Sequence, residues 1–396
     1  MTLMRENVRS IKTFGSDFQI LAFMLAAISA LSLFFIASAS AIVSLNEYGT
    51  SWGMLQRQII AMIAGAAFMT LIARRSLSLL RKLSPLLVVI AIALLVYVLI
   101  AGKSVAGQKN WIMLPMNFSF QPSEVAKLAL VVFCAQVISA GIAHGSVGTW
   151  TYATLMMATG VIVFLVLLER DLGTPIILAG IATSIFYVAG LRKRYLALGW
   201  LFGAVAVIGY SFAGAGTYRE ERFLAWLDPF SAPQTYGYQI LHGQYALASG
   251  GLWGVGPGNS TQKFGALPAP HTDFILAVIG EEFGIIGTTV VIGSLIAVFV
   301  MALRISERAL DDFGRLAAFG IAIWIAVQTI VNVGAIVRAL PITGVPLPFY
   351  SYGGSSAAIT LVAMGLLLAI ARDTHRQTIL REMREADYGD HETADS

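Results

Sequence analysis

Opposite charges at helical spacing are the first feature of this sequence that could do chemistry. Glu124 and Lys127 lie three residues apart in an otherwise apolar stretch, so on a helix their side chains share one face and can form an ion pair. Ionisable side chains in such stretches are costly, and they often mark a site that faces a cavity. The same spacing also suits a pair that only locks two helices together, and both interpretations stay open.

A single aspartate, Asp273, is the candidate for acid–base chemistry or metal binding. It follows His271 and Thr272 at the end of a long polar segment and opens an apolar stretch. A carboxylate there can accept a proton or bind a divalent cation such as Mg²⁺ or Mn²⁺. It could equally complement a helix dipole while Thr272 caps the helix. At 100° per residue, Glu281 is predicted to share a cavity with Asp273, and Glu282 to bond a neighbouring helix.

Two further groups suit the binding of a charged ligand. Arg219 and Arg222 lie three residues apart in a short amphipathic segment, where guanidinium groups would match phosphate oxygens or, equally, lipid headgroups. Asp171 begins another apolar stretch and is followed by Leu-Gly-Thr. It either binds a ligand or complements the dipole at a helix start.

The elements that must position these side chains are long apolar stretches. The chain is 57% hydrophobic and only 12% charged, which excludes a soluble enzyme, a nucleic-acid-binding domain and a disordered scaffold. About ten stretches are long enough to cross roughly 30 Å of hydrocarbon, so we predict an all-α polytopic membrane protein. The predicted spans are 18–44, 54–73, 84–101, 122–144, 152–168, 172–190, 195–213, 273–303, 313–338 and 351–371.

Basic residues beside the spans predict the orientation of the chain. With an even number of spans both ends lie on one side, and most of the 26 Lys and Arg residues then fall in segments on that side. Both termini are therefore predicted to be cytoplasmic. We expect one membrane domain over 1–372 whose active face is extracytoplasmic, with a long outer loop at 214–272 between spans seven and eight, and a disordered cytoplasmic tail at 373–396.

Six motifs, in order along the chain, carry a family resemblance. They are QPSEVAK at 121–127, DLGT at 171–174, GYQ at 237–239, GNSTQK at 258–263, HTDFILAVIGEE at 271–282 and LPITGVPLPFYSYGGSS at 340–356. The chain resembles the SEDS family (shape, elongation, division and sporulation) over nearly its whole length. Its GVGPGNSTQK element resembles the division and sporulation branches rather than the elongation branch.

The resemblance implies a peptidoglycan glycosyltransferase that polymerises lipid II at the outer face of the bacterial cytoplasmic membrane. It also implies partnership with a class B penicillin-binding protein, a transpeptidase, and with other division-complex proteins. Asp273 matches the family's essential aspartate, and Trp111 matches the tryptophan of its outer loop. The whole predicted substrate-binding set is Trp111, Glu124, Lys127, Asp171, Arg219, Arg222, His271, Thr272, Glu281 and Ser355.

This sequence departs from the family pattern at several positions. Asn110, with Lys109 before it, stands where the family usually has arginine before the tryptophan, and Arg170 replaces the proline before DLGT. Gly265 and Ala269 stand where division-type members have glutamates. These changes alter the arrangement of charge expected around a lipid pyrophosphate.

The implied reaction fits the residues. Pyrophosphate leaves without being protonated, so transfer of a sugar to a hydroxyl needs one base and positive charge for the departing anion. A glycosidase would need two facing carboxyl groups instead. Asp273 is then the base or a metal ligand, and Lys127 and the two arginines are candidates to stabilise the pyrophosphate.

Two other functions remain open on the sequence. A lipid II flippase would use Glu124, Lys127 and Glu281 as a path for the headgroup. Against it, the polar residues concentrate on one predicted face, whereas a transporter should line both ends of a path. A non-enzymatic scaffold for division proteins is the remaining alternative.

Overall fold

The computed structural model describes residues 15–105, 108–115, 118–145, 147–212 and 218–394. Within these ranges the chain forms twelve helices and three short strands. In chain order they are α1 Ser16–Tyr48, α2 Gly53–Ala73, α3 Leu77–Ala101, β1 Lys103–Val105, β2 Gln108–Leu114, β3 Phe118–Phe120, α4 Pro122–Ala143, α5 Thr149–Leu168, α6 Gly173–Val188, α7 Lys193–Phe212, α8 Tyr218–Leu227, α9 Tyr238–Gly250, α10 Ile275–Arg308, α11 Asp312–Ile336 and α12 Gly354–Ala394.

A helix forms at each of the ten predicted apolar stretches, which confirms the polytopic, nearly all-α prediction. Among the described residues, eight helices are long and apolar enough to cross a membrane, namely α1 to α5 and α10 to α12. Helix α6 is apolar but has only 16 residues. Exposed apolar side chains such as Ile63, Val89 and Phe164 cover the outer helices, as expected where the solvent is lipid. The chain is therefore a multi-pass membrane protein.

Helices α4, α11 and α12 are the most buried of the spanning helices and form the centre of the bundle. Helix α12 lies directly against α2 because small residues face each other. A Cβ atom added to Gly365 would be 2.6 Å from the Met69 carbonyl oxygen, and one added to Gly65 would be 2.8 Å from Ala358 Cα. Such close approach is how small residues contribute to packing between membrane helices.

The segment 102–121, predicted only as a polar outer connection, contains the three strands. They form an antiparallel meander in the order β1-β2-β3, with Lys103 opposite Trp111 and Ile112 opposite Phe120. The meander joins α3 to α4. It thereby carries Trp111 to the end of the bundle at which α4 begins.

Helix α10 is broken at Gly284, whose φ of 65° lies in the left-handed region. The turn that follows α9 supplies backbone partners at the break. Val255 N–H donates to the Glu281 carbonyl over 2.9 Å, and Ile285 N–H donates to the Gly251 carbonyl over 3.0 Å. A broken helix is tolerated at membrane depth where protein satisfies the freed backbone groups, as it does here.

The prediction that 373–396 is a disordered tail is wrong for most of that segment. Helix α12 does not end near 371 but continues to Ala394. The segment after 372 is polar and alternates in charge, and hydropathy alone therefore predicts that it is unstructured. Because it continues a buried helix, it needs no new nucleation step, which is the costly part of helix formation.

Candidate active site

The loop at 340–353, which we call the central segment, is bonded to residues of α1, α2 and α11 and to the chain before α10. It contains Pro341, Pro346 and Pro348, which cannot donate backbone hydrogen bonds, so it does not form a helix. Its backbone is instead bonded to side chains and to the chain before α10. The pairs are Val345 O with Asn332 Nδ2 (2.8 Å), Pro346 O with Gln328 Nε2 (2.8 Å), Phe349 O with Ser32 Oγ (2.6 Å), Tyr352 N with His271 O (2.8 Å) and Gly353 N with Gln58 Oε1 (3.1 Å).

Asp273 lies in a backbone that is fixed at three successive carbonyl groups. The His271 carbonyl accepts from Tyr352 N–H, and the Thr272 carbonyl accepts from Ser351 Oγ over 2.5 Å. The Asp273 carbonyl accepts from Asn332 Nδ2 over 2.8 Å. These bonds hold the peptide from two sides, so the direction of the Asp273 side chain is set before any substrate binds.

The Asp273 carboxylate does not cap helix α10. The N-cap residue is Phe274 and has no side-chain capping bond. Thr272 Oγ1 donates to Asp273 Oδ1 over 3.0 Å instead of capping the helix. Burial raises the pKa of Asp273 above its ordinary value, and the positive charge of Arg222 opposes that rise. The capping alternative is therefore not what the geometry supports.

Arg222 belongs to α8 and lies against the central segment. A Cβ atom added to Gly344, which has a φ of 73°, would be 3.3 Å from Arg222 Nη1. The guanidinium thus lies beside Gly344, and its positive charge acts on the Asp273 carboxylate. Arg219 lies in the same helix, and its side chain is outside the described residues.

Glu124 and Lys127 form the predicted ion pair, with 2.9 Å between Lys127 Nζ and Glu124 Oε2. Both side chains are about 1% exposed. Lys127 Nζ also donates to Gln328 Oε1 over 2.9 Å and lies 4.9 Å from the centre of the Trp324 ring. The pair is therefore buried and joined to α11.

A polar stripe on α11, formed by Trp324, Gln328 and Asn332, connects the two candidate regions. Trp324 Nε1 donates to Gln328 Oε1 over 2.7 Å, and Gln328 also bonds Lys127. Asn332, one turn further, bonds the Asp273 carbonyl. None of these three residues was predicted from the sequence, although two amides at i,i+4 in an apolar span are a signal that could have found the stripe.

Asp171 caps the start of α6. Its Oδ1 accepts from the backbone N–H groups of Gly173 (2.9 Å) and Thr174 (3.0 Å), and its Oδ2 accepts from Thr174 Oγ1 (2.6 Å). Burial raises the pKa of Asp171, while these bonds and the charge of Lys127 oppose the rise. The helix-start interpretation therefore accounts for the hydrogen bonds of Asp171. The charge of Lys127 also acts on this carboxylate.

Glu169 is a buried carboxyl group that was not predicted from the sequence. It is fully buried, and neither carboxyl oxygen has a hydrogen-bond partner among the described residues. Burial, and then the nearby Asp171, raise the pKa of Glu169 to about 9. The group is therefore protonated at neutral pH.

Glu281, predicted to share a cavity with Asp273, makes its side-chain hydrogen bonds to the loop at 260–262. Its oxygens accept bonds from the hydroxyl of Ser260, from Thr261 N and Oγ1 (both 2.8 Å) and from Gln262 N (3.3 Å). A carboxylate with this many donors is an anchor, because both of its oxygens are already occupied. Glu281 ties the loop after the glycine-rich turn to α10.

Glu282 bonds a neighbouring helix, as predicted. Its oxygens accept from Ser38 Oγ of α1 over 2.8 and 2.7 Å. Lys263 Nζ forms an ion pair with it over 2.5 Å, and both side chains are at most 4% exposed. The two adjacent glutamates thus hold the same loop, Glu281 at 260–262 and Glu282 at Lys263.

The outer-loop tryptophan, Trp111, is half-buried in β2. The neighbouring Lys109 does not point to the predicted site, because its Nζ donates to the Leu99 and Ile100 carbonyl oxygens over 2.7 and 3.0 Å. It therefore satisfies the end of α3. Asn110 is buried and bonds Gln108.

His271 and Ser355 both lie next to the central segment. The His271 ring contacts the Tyr352 ring with 5.4 Å between centres, and burial lowers its pKa to about 4, so the imidazole is neutral. Ser355, in the first turn of α12, accepts the Gln121 N–H over 3.3 Å. The motif before α4 and the motif before α12 therefore meet at this end of the bundle.

No group of three or more His, Cys, Asp or Glu side chains in the described ranges is arranged to hold a metal ion. Asp273 offers one carboxylate, and the Arg222 guanidinium lies beside the central segment at Gly344. Chemically, the site can accept a proton at Asp273 and attract an anion through Arg222.

Comparison with known proteins identifies relatives that cover most of this chain. Residues 18–376 match the profile of the family described as Cell cycle protein, which is named for FtsW, RodA and SpoVE. The chain is 36% identical over 357 residues to a Trichlorobacter lovleyi protein named "Probable peptidoglycan glycosyltransferase FtsW", covering 89% of this chain and 92% of that protein. It is 35% identical to stage V sporulation protein E of Bacillus subtilis, covering 86% and 93%.

Two solved structures share the fold. One is a chain of a peptidoglycan synthase complex studied for its coordination of polymerization and crosslinking, with a TM-score of 0.73, 29% identity, and coverage of 89% of this chain and 97% of that one. The other is the rod shape determining protein RodA of Thermus thermophilus, with a TM-score of 0.67, 27% identity, and coverage of 89% and 96%.

Proposed function

This chain belongs to the cell cycle protein family of FtsW, RodA and SpoVE, and from that membership and the site geometry we propose that it is a peptidoglycan glycosyltransferase that polymerises lipid II. It works in cell division or related wall synthesis. The protein lies in the bacterial cytoplasmic membrane with both termini in the cytoplasm. Its active face is extracytoplasmic, where α4, α6, α10 and α12 begin.

One observation carries the chemical part of the proposal: a buried aspartate is held in a fixed backbone, and the charge of an arginine beside the central segment acts on it. In chain growth, a sugar hydroxyl attacks the anomeric carbon and its proton passes to the Asp273 carboxylate. The bond from that carbon to the pyrophosphate oxygen breaks, and the oxygen leaves with the electron pair. A raised pKa makes Asp273 a stronger base, and the positive charge of Arg222 favours its ionised form.

Positive charge for the departing pyrophosphate comes from Arg222 and its helix neighbour Arg219. Preformed charge aimed at a developing anion is commonly the strongest single contribution to such catalysis. Lys127 is engaged by Glu124 and Gln328, so it acts by holding α11 in place. The other substrate-binding residues proposed are Trp111, Asp171, His271, Thr272 and Ser355, whereas Glu281 supports the loop.

A divalent cation, Mg²⁺ or Mn²⁺, is a further proposal. The chain offers Asp273 as its carboxylate ligand, and Mg²⁺ is often held by one or two carboxylates together with substrate phosphates. When bound, such a cation would supply charge stabilisation to the pyrophosphate. The remaining ligands would be phosphate oxygens and water.

A class B penicillin-binding protein is the proposed partner, within a larger assembly of division proteins. The support is the likeness to a chain of a peptidoglycan synthase complex that coordinates polymerization and crosslinking. A transpeptidase that crosslinks strands in the same compartment would use the product of this protein directly.

The test is polymerisation of labelled lipid II by purified protein, alone and with the cognate transpeptidase. Asp273→Ala and Asp273→Asn are each expected to lower the rate by at least about 100-fold, since a lost general base typically costs that much. Asp228→Asn is the matched control, because Asp228 is an exposed carboxylate in the same outer loop. Polymer from either Asp273 variant at the control rate would reject the proposed catalytic role.

The buried Glu124–Lys127 pair is the observation that suits the alternative, a lipid II flippase, since charges inside a span can mark a transport path. In the structure, however, Lys127 of this pair is also in contact with Gln328 and Trp324 of α11. Vesicles that contain the protein would decide between the two functions. Translocation of labelled lipid II without polymer would support the flippase.

A further inference from the structure

Helix α8 needs an external support to place Arg222. It has only ten residues, and isolated helices of that length are marginal in water. Its position must therefore come from tertiary contacts. Arg222 lies beside Gly344 of the central segment, and its charge acts on Asp273, so whatever holds α8 also sets the position of that guanidinium relative to the site.

Arg338, just after α11, makes such a contact. Its Nε donates to the Trp226 carbonyl over 3.0 Å, and its Nη2 donates to the Leu227 carbonyl over 2.8 Å. In return, Trp226 Nε1 donates to the Arg338 carbonyl over 3.2 Å. The last carbonyls of a helix have no partners within it, and a cation there also complements the helix dipole.

The backbone of Arg338 indicates that the guanidinium has a specific role. Its φ of 61° lies in the left-handed region, and the N–H groups of Ala339 and Leu340 both donate to the Gly334 carbonyl, as in a glycine-type helix end. Glycine would adopt this conformation without strain. An arginine in this position is explained by the bonds from its guanidinium to the Trp226 and Leu227 carbonyl groups.

Helix α11 and the residue that follows it therefore hold both the backbone of Asp273 and the helix that carries Arg222. Asn332 bonds the Asp273 carbonyl, and Arg338, six residues later, bonds the end of α8. We propose that Arg338 is a positioning residue that holds α8 so that Arg222 faces Asp273 and the pyrophosphate of the substrate. This inference rests on the proposed function, because Arg222 matters only if an anion departs there.

The test is Arg338→Gly, which keeps the backbone conformation and removes the guanidinium. We expect polymerisation to fall by about tenfold or more. Arg192→Gly is the matched control, because Arg192 is an exposed arginine in the short connection before α7 and is not among the residues proposed to bind the substrate. The control should polymerise at the unmodified rate.

A double-mutant cycle separates positioning from general stability. If Arg338 acts through Arg222, the variant with both Arg338→Gly and Arg222→Ala should be no slower than Arg222→Ala alone. Additive losses would overturn the inference. Trp226→Phe removes only the indole bond to the Arg338 carbonyl, so it should lower the polymerisation rate less. Its effect should likewise disappear in the Arg222→Ala background, and it replaces Arg338→Gly in the cycle if that variant does not fold.

A distance measurement distinguishes this inference from the proposed function. Spin labels at Leu224 and Val337, both exposed, report the placement of α8 against α11 without any activity. Arg338→Gly should broaden the distance distribution, and Arg192→Gly should not. An unchanged distribution in Arg338→Gly would overturn the positioning role. If the distribution broadens as expected but the unmodified protein does not polymerise lipid II, only the proposed glycosyltransferase function is rejected.

Discussion

At the scale of single residues, the site is defined by the contrast between Asp273 and Asp171. Both are buried carboxylates near the start of an apolar helix. Asp171 accepts bonds from the N–H groups of α6, whereas Asp273 accepts a side-chain bond from Thr272 and caps no helix. The bonds at the start of α6 already engage both carboxyl oxygens of Asp171, so Asp273 is the better candidate for the group that accepts a proton.

The pH dependence of polymerisation should report on Asp273. Burial raises its pKa, so the active carboxylate is lost as pH falls through a midpoint above the ordinary aspartate value near 3.9. Arg222 lowers that pKa, so Arg222→Ala should shift the acid limb to higher pH. A pH–rate profile of kcat/KM would measure this, and a midpoint that stays or falls in the variant would show that Arg222 does not act on Asp273.

Glu124 and Lys127 should behave as one unit. Either single change to Ala leaves a charge in low dielectric, which typically costs about 3–5 kcal/mol, so each should be severe and the double variant little worse. Thermal stability and polymerisation of the four proteins in a double-mutant cycle would measure the coupling. Fully additive losses would contradict it.

At the scale of elements, the broken helix α10 places Asp273. The half-helix before Gly284 is joined to the turn after α9 through backbone bonds from Val255 and Gly256. The two glutamates at 281 and 282 fix the next part of the loop. An unbroken α10 would lose these contacts, so the break is part of what orients the chain that leads into the site.

Gly284→Ala should therefore destabilise the protein, whereas Gly293→Ala should not. A Cβ at position 284 would lie 2.4 Å from the Leu252 carbonyl oxygen in a left-handed backbone, but one at 293 would meet nothing within 4 Å. Ala is also favoured over Gly by roughly 0.8–1.0 kcal/mol in a helix interior, so the control should be neutral or slightly stabilising. Thermal unfolding in detergent would compare the pair, and equal melting temperatures would show that the break is not required.

At the scale of the whole molecule, the described part of the loop between α7 and α10 brings residues from several helices to the site. It carries Arg222 on α8, whose last carbonyl groups bond Arg338, and the glycine-rich turn after α9. Such segments commonly have alternative arrangements whose balance a binding partner can shift.

We expect the cognate transpeptidase to activate polymerisation. The complex should be markedly faster than the isolated protein, even with the transpeptidase serine blocked, because the effect would come from the arrangement of the loop and not from crosslinking. Polymer length and rate with and without the blocked partner would measure it. Equal rates would mean that the two proteins share only a location.

Much of the fold was predictable because it depends on local properties. The length of an apolar stretch determines a spanning helix, and all ten stretches became helices. The Glu124–Lys127 pair followed from i,i+3 spacing, which is also local. The continuation of α12 to Ala394 was not predictable in this way, since a polar segment extends a helix only when a packed helix precedes it.

The sequence by itself determined the helices, the close ion pair and the identity of Asp273 as the principal candidate. Only the tertiary structure decided that Lys127 and Asp273 belong to one network through Gln328 and Asn332, and that Glu281 anchors a loop. It alone showed Arg338 holding α8. The physical reason is that hydropathy and spacing describe one helix at a time, whereas these contacts depend on how each helix is rotated and packed against residues distant in the chain.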